Sequence, residues 1–385
     1  MAQPILQFGT SRFLLAHVDL FVSEALAQGD AGKALGGITL VQSTSNPASA
    51  ARVAALAGGA GYPVRIRGLA GGERVDRTVQ CTAVKEAVQA DAQWPQLRQA
   101  FVHDVQVVVS NTADRGYQLD DSDNAALLAD TSPAPRSFPA KLLVLLHGRW
   151  QANPQAPLSL LPCELIEKNG EVLRDLVMSL AAQWQLDTAF IAWLRDHCVW
   201  ANSLVDRIVS EAIEPVGAVA EPYALWAIEA QPRLVLPCVH PAIVLTDDLA
   251  RHERLKLFLL NAAHTWLAER WQLDGRPADE TVRAAMADTA LRTELEALWL
   301  DEIVPVFVAL GEGAAAMAYL VDLRERLENP FLDHRIADIA QNHAQKKQRR
   351  LAPIVTMAAE HAPLLKQPRL LAALANVATP SGQAS

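Results

Sequence analysis

The sequence predicts an α/β domain built on a largely parallel sheet, residues 1–240, followed by an all-α domain, residues 241–385. Three observations predict it. In the first half, short apolar runs alternate with helical patterns, the signature of βαβ units. Val105 to Val109 is a β-branched run of the kind a strand buried on both faces requires. From Asp247 onward the chain is rich in Ala, Leu, Glu and Arg and carries several long helical periods.

Pro4 to Phe8 is the first apolar run, a strand. His17 to Gln28 follows with helical spacing through Val18, Phe21, Val22, Ala25 and Leu26. Gly37 to Val41 reads as the second strand. Around Tyr62 to Thr82, shorter and more polar strands separated by Gly71-Gly72 read as an inserted hairpin. Pro139 to Trp150 reads as a helix, and Leu158 to Leu161 as a strand leading into Cys163-Glu164-Leu165. In the second half the helices are Leu249 to Trp271, Thr281 to Leu298, Ala314 to Leu327 and His334 to Lys346. Pro305, Pro330 and Pro353 punctuate them. No internal repeat has a fixed period. The tail after Val377, with Thr379-Pro380-Ser381-Gly382, reads as frayed.

Composition excludes several classes. Of 385 residues, 51% are hydrophobic and 20% charged, enough apolar material for a sizeable core, so disorder is not the main state. No apolar run is long enough to span a membrane, and the first residues lack the basic and apolar regions of a signal peptide. Thirty-four basic against 43 acidic side chains leave a net charge of −9, which argues against a nucleic-acid or anionic-membrane binder. The one dense basic run, Lys346-Lys347-Gln348-Arg349-Arg350, reads as a solvated helix face. Cys81, Cys163, Cys198 and Cys238 are widely spaced, with no CxxC and no HExxH, so the expectation is a cytoplasmic protein with reduced thiols and no metal site.

Two places carry chemistry. The first strand runs into Gly9-Thr10-Ser11-Arg12-Phe13 and then a helix, the position at which a Rossmann-like fold binds pyrophosphate. Only the first glycine of GxGxxG is present; Ser11 and Leu14 replace the others. Gln42-Ser43-Thr44 stands where an acidic ribose ligand is expected; neutral groups there can bond a ribose hydroxyl without repelling a 2′-phosphate, so NAD versus NADP stays open. A structural turn is an equally good reading of this loop alone. The second place is Arg254 to Thr265. On an ideal α-helix Asn261 lies about 140° and His264 about 80° from Lys256, a polar face in a helix otherwise filled by Leu and Phe. A solvated lysine, a capping asparagine and a core histidine would give the same residues. Yet a lysine desolvated by leucines and Phe258 can serve as a general base, an amide can stabilise an alkoxide, and an imidazole can orient a hydroxyl.

Further segments join these in order along the chain. They are Gln7-Phe8-Gly9 through Asp19, Ser110-Asn111-Thr112, Ser137 to Leu142, Leu161 to Gly170, Leu204-Val205-Asp206-Arg207-Ile208 and Asn329-Pro330-Phe331. With Lys256, Asn261 and His264, they make the sequence resemble the polyol-specific long-chain dehydrogenases, the mannitol dehydrogenase family, and within it most closely the tagaturonate and fructuronate reductases. The resemblance covers nearly the whole chain. It implies a zinc-independent oxidoreductase with Lys256 as general acid/base, Asn261 in the oxyanion site and His264 on a substrate hydroxyl. It places Gly9, Ser11, Arg12, Phe13, Ser110, Asn111 and Thr112 with the cofactor, and Asp206, Arg207 and Arg326 with the substrate. The alternative for Asp206 is a structural pair with Arg207.

Leu165 stands where the polyol branch has a second oxyanion asparagine, which draws the expected substrate toward keto-uronates. Ser11 and Leu15 replace a glycine and an arginine more common in the family. The substrate carboxylate needs a cation, and Arg326, Arg207, Lys141 and Arg12 are the candidates. Two other readings remain: a polyol dehydrogenase acting on mannitol or arabinitol, and a nucleotide- or sugar-binding protein without turnover.

Overall fold

The computed structural model describes residues 3–44, 46–112 and 116–375; the tail after Val377 lies outside them. The strands, in chain order, are β1 (Ile5–Phe8), β2 (Ile38–Gln42), β3 (Tyr62–Ala70), β4 (Glu73–Cys81), β5 (Val84–Gln89), β6 (Val107–Ser110) and β7 (Ser159–Pro162). They continue with β8 (Val199–Trp200), β9 (Ser203–Asp206), β10 (Val209–Ala212), β11 (Ala218–Ala220), β12 (Leu225–Glu229) and β13 (Ile243–Thr246). Two compact units result. One comprises the chain up to Ile66 and Arg77–Leu249, the other Arg67–Asp76 and the chain from Ala250 on.

The main sheet of the first unit is parallel throughout, in the order β5-β2-β1-β6-β7-β8. β1 lies at its centre with Phe8 paired to Val41 on one side and Ser110 on the other. This is the doubly wound order in which the chain reverses direction across the sheet between β1 and β6, and ligands bind beyond the carboxyl ends at that point. Every residue of β1, β2, β6 and β7 is buried, the polar Gln7, Gln42, Ser110 and Ser159 included, as a sheet covered on both faces requires. On one face Phe8, Trp94, Phe101, Leu142, Leu146, Val177 and Phe190 form a common core with the helices Ala90–His103, Phe138–Ala152 and Asn169–Gln183.

The hairpin turns at Gly71-Gly72 as its sequence predicts, but its strands are not short: β3 and β4 have nine residues each. β3 alternates buried and half-buried positions while β4 is largely exposed, so the polar composition reflects a one-sided ribbon. β3 also pairs in parallel with β11, in a sheet ordered β10-β11-β3-β4, and a third sheet has the order β13-β12-β9. The strands from β9 to β13 were not legible in the sequence. They are three to five residues long, too short to show a period.

In the helical unit, Leu249 to Leu273 is one continuous rod, with a π-helical segment, Lys256–Asn261, between two α-helical parts. The predicted helix from Thr281 breaks at Asp288, whose carboxylate caps Ala290 and Leu291, and then runs through a second π-segment, Leu298–Ile303, into Val304–Ala309. The one from His334 breaks at Asn342, which is left-handed, with φ 55°. The basic run is not a solvated face. Lys347 is buried and its Nζ lies 3.0 Å from the buried Glu269, which also meets His343 Nε2 at 2.7 Å. Lys346 donates to the Ile339 carbonyl (2.7 Å), and Arg350 to Thr265 Oγ1 (3.4 Å). A buried carboxylate requires such partners, and they draw the basic helix inward.

Removing one partner of a buried ion pair costs about 3–5 kcal/mol. Lys347→Met is therefore expected to lower the urea midpoint of this protein sharply, whereas Arg349→Met, at an exposed position, leaves it nearly unchanged. Equal midpoints for the two variants would refute the inward assignment.

Candidate active site

At the carboxyl end of β1, Gly9 has φ +123°, and a Cβ there would lie 2.5 Å from the Asn111 carbonyl oxygen. Both facts exclude any side chain. Its N–H donates to the Val41 carbonyl (3.1 Å), and Asn111 N–H donates to the Phe8 carbonyl (3.0 Å), so the loops after β1 and β6 interlock at the switch point. Ser11 caps the four-residue helix Arg12–Leu15, its Oγ accepting from Leu14 N–H at 3.4 Å. Arg12 is exposed, and Phe13 stacks on the buried His17. Arg52 binds the Thr10 carbonyl at 2.5 Å, which brings a cation to the same loop. Gln42, at the acidic-ligand position, is buried and donates through Nε2 to the Thr44 and Asn46 carbonyls.

Ser110, Asn111 and Thr112 are organised by a residue to which the sequence assigned no role. Glu164, just beyond β7, is buried and accepts from Ser110 Oγ (3.0 Å), Thr112 N–H (3.1 Å), Thr112 Oγ1 (2.9 Å) and Tyr117 OH (3.3 Å). Burial raises its pKa and these donors partly offset that. Asn169 completes the bracket: its Nδ2 donates to the Pro162, Glu164 and Ser203 carbonyls, and its Oδ1 accepts from Ser203 N–H. The signal was available, a carboxylate directly after a buried strand. Leu165, the next residue, is 78% exposed.

Asp206 ends β9 and is buried. Arg207 clamps backbone, donating to the Ala16 carbonyl and, through two nitrogens, to the Glu221 carbonyl at 3.1 and 2.9 Å. Burial lowers its pKa to about 10. Lys141 is a core residue, 1% exposed, with Nζ on the Arg136 carbonyl. Asp19 is fully buried on the helix Val18–Ala27, and its pKa is raised to about 7, chiefly by burial. Tyr62 OH lies 2.9 Å from Asp19 Oδ2 and 3.0 Å from the Leu15 carbonyl. One hydroxyl proton serves only one of these acceptors, so a protonated Asp19 that donates to Tyr62 satisfies both.

In the helical unit, the π-segment changes the geometry that an α-helix predicts. Ala262 N–H bonds to the Leu257 carbonyl, five residues back. Such a bond widens the turn, so Asn261 lies less far around the axis from Lys256 than the roughly 140° of an α-helix. Lys256 and Asn261 are half-buried, Phe258 is buried, and His264 is buried with its ring 5.2 Å from that of His334. Among the described residues the Asn261 carboxamide makes no hydrogen bond. Arg326 is buried and donates to Tyr319 OH (3.3 Å). The neighbouring segment holds the hairpin tip: Glu325 accepts from the N–H groups of Gly71 and Gly72, Asn329 donates to the Arg67 carbonyl, and Arg67 lies 4.0 Å over the Phe331 ring.

Comparison with known proteins agrees with the fold. Residues 3–235 match the mannitol dehydrogenase Rossmann domain and residues 248–379 the mannitol dehydrogenase C-terminal domain. The chain belongs to the mannitol dehydrogenase family. Family membership makes it an NAD-dependent oxidoreductase acting on a CH–OH group. It is 32% identical to an altronate oxidoreductase of Halalkalibacterium halodurans over 374 residues, 92% of this chain and 70% of that one. A Klebsiella pneumoniae altronate oxidoreductase is 32% identical over 396 residues, 96% of this chain and 78% of that one. Among solved structures, a substrate-free D-sorbitol dehydrogenase superimposes with a TM-score of 0.79 at 20% identity, covering 97% of this chain and 80% of that one. The Pseudomonas fluorescens mannitol 2-dehydrogenase, in a ternary complex with NAD and D-mannitol, gives 0.71 at 18% identity, covering 97% and 78%. These two share the family fold. Among the described residues no helix is long and apolar enough to cross a membrane.

Two outcomes are expected of the first unit. A folded-state pKa raised from 3.8 to about 7 means that Asp19 holds its proton in the native state over a range where the unfolded chain releases it. Its contribution is therefore fully present below about pH 4 and lost as the pH rises through 7. In urea unfolding, Asp19→Asn should gain stability relative to the unaltered protein between pH 5 and pH 8; a constant difference would contradict the assignment. Glu164→Ala removes the acceptor of four buried or half-buried donors and should cost at least about 1–3 kcal/mol, read as a fall in the same midpoint.

Proposed function

We propose that this chain interconverts a keto-uronate, tagaturonate or fructuronate, and the corresponding aldonate with NAD(H). The observation that carries the substrate class is the extended similarity to proteins named altronate oxidoreductase, spanning nine-tenths of the chain. The switch-point edge fits a dinucleotide, because Gly9 leaves bare backbone where a Cβ would collide. Gly9, Ser11, Arg12 and Phe13 would hold the cofactor from one loop, and Ser110, Asn111 and Thr112 from the other, which Glu164 fixes in place. The cofactor when bound supplies the hydride that reaches the keto carbon.

Lys256 donates the proton that the nascent alkoxide oxygen takes up, so C=O becomes CH–OH; in the oxidative direction the same amine removes it. The uncommitted Asn261 carboxamide donates a hydrogen bond to that oxygen, where charge develops. His264 holds a neighbouring hydroxyl. Asp206, buried at the end of β9, would meet the substrate, and Arg207 ties that strand's end to the turn at Ala16. Arg326 pairs with the substrate carboxylate and gives the acid its advantage over a neutral ketose. NADP remains compatible with a neutral Gln42.

NADH oxidation followed at 340 nm with fructuronate, tagaturonate and fructose tests the reading. Turnover is expected with a keto-uronate and lost by at least about a hundredfold in Lys256→Ala. Arg326→Ala should depress the acid far more than fructose. Fructose preferred over both acids would replace the proposal with a polyol dehydrogenase; NADH binding without any turnover would leave a binding protein.

A further inference from the structure

The two π-segments of the helical unit are packed against one another, and one hydrogen bond joins them. Trp299, in the second segment, is fully buried, and its Nε1–H donates to the Leu259 carbonyl at 3.2 Å. Leu259 lies between Lys256 and Asn261 in the first. The second segment is anchored from its far end. Glu302, also fully buried, accepts from the N–H groups of Arg369 (2.9 Å) and Leu370 (3.0 Å) and from Arg369 Nη1 (3.2 Å), while Gln367 donates to its carbonyl at 2.8 Å. Arg254, two residues before Lys256, pairs with Glu312.

A π-turn is a rare conformation that an apolar sequence such as Leu257-Phe258-Leu259-Leu260 would exchange for an α-helix unless its surroundings hold it. Relaxation to an α-helix would carry Asn261 about 140° around the axis from Lys256. We propose that Trp299 is a positioning residue for Lys256 and Asn261: its indole N–H fixes the Leu259 carbonyl and keeps the wide turn that brings the amide round toward the side of the helix bearing the amine. The anchor on Glu302 holds the indole in turn. This rests on Lys256 being the acid/base.

Trp299→Phe keeps an aromatic ring in the core and removes only the donor. Measured against fructuronate and tagaturonate, its kcat should fall about ten- to a hundredfold, with the ionisation in the kcat–pH profile displaced and the NADH dissociation constant unchanged. Glu302→Gln, which weakens the anchor and leaves Trp299 in place, should move kcat and the profile in the same direction by less, and it carries the test if Trp299→Phe does not fold. A lowered melting temperature with an unaltered kcat and pH profile in these variants would overturn the proposal, since a merely structural indole would give that result. Lys256→Ala separates the two readings. If it remains active, the role of Lys256 fails first; if it is inactive while Trp299→Phe turns over normally, only the positioning role fails.

Discussion

The nucleotide-binding half of this protein depends on the absence of a single side chain. At Gly9 the backbone turns through a left-handed conformation and passes so close to the Asn111 carbonyl that a Cβ would lie within 2.5 Å of it. That approach lets the loops after β1 and β6 meet at the point where the sheet's winding reverses. The other two glycines of the usual fingerprint are missing, and the structure shows how their places are filled. Ser11 supplies the helix cap, while Leu14 turns its side chain into the core.

Around that constraint, buried carboxylates do the organising. Glu164 gathers the donors of the β6 loop, and the Glu221 carboxylate accepts from Ile208 N–H while its backbone carbonyl takes Arg207. The helical unit repeats the strategy with Glu269 and Glu302. Each costs desolvation and is retained with several donors around it, so it ties backbone segments that apolar packing alone would leave free to slide. Such brackets are directional, which suits elements that must hold catalytic groups at fixed spacing.

Much of the architecture could be read from local pattern. β1, β2, β6 and β7 were found because a strand buried on both faces is mostly apolar or β-branched, with no alternation to a solvated side. The long helices were found because burial on one side imposes a period. The breaks at Asp288 and Asn342 were missed because each follows from backbone conformation at one residue inside an otherwise helical period. The basic run from Lys346 was misread because charge by itself does not reveal a buried Glu269 waiting on another helix.

The sequence by itself determined the parallel-sheet and helical halves, the glycine at the switch point and the family, since these rest on periodicity, on residue size and on motifs in order. Tertiary structure alone decided that Lys141 is a core residue and that Arg207 clamps backbone, because a side chain's partners come from distant segments. It alone also decided that the segment bearing Lys256 is π-helical. Residues 256 to 261 have the composition of an ordinary α-helix, and what widens their turn is contact with a second helix some forty residues further on, through Trp299.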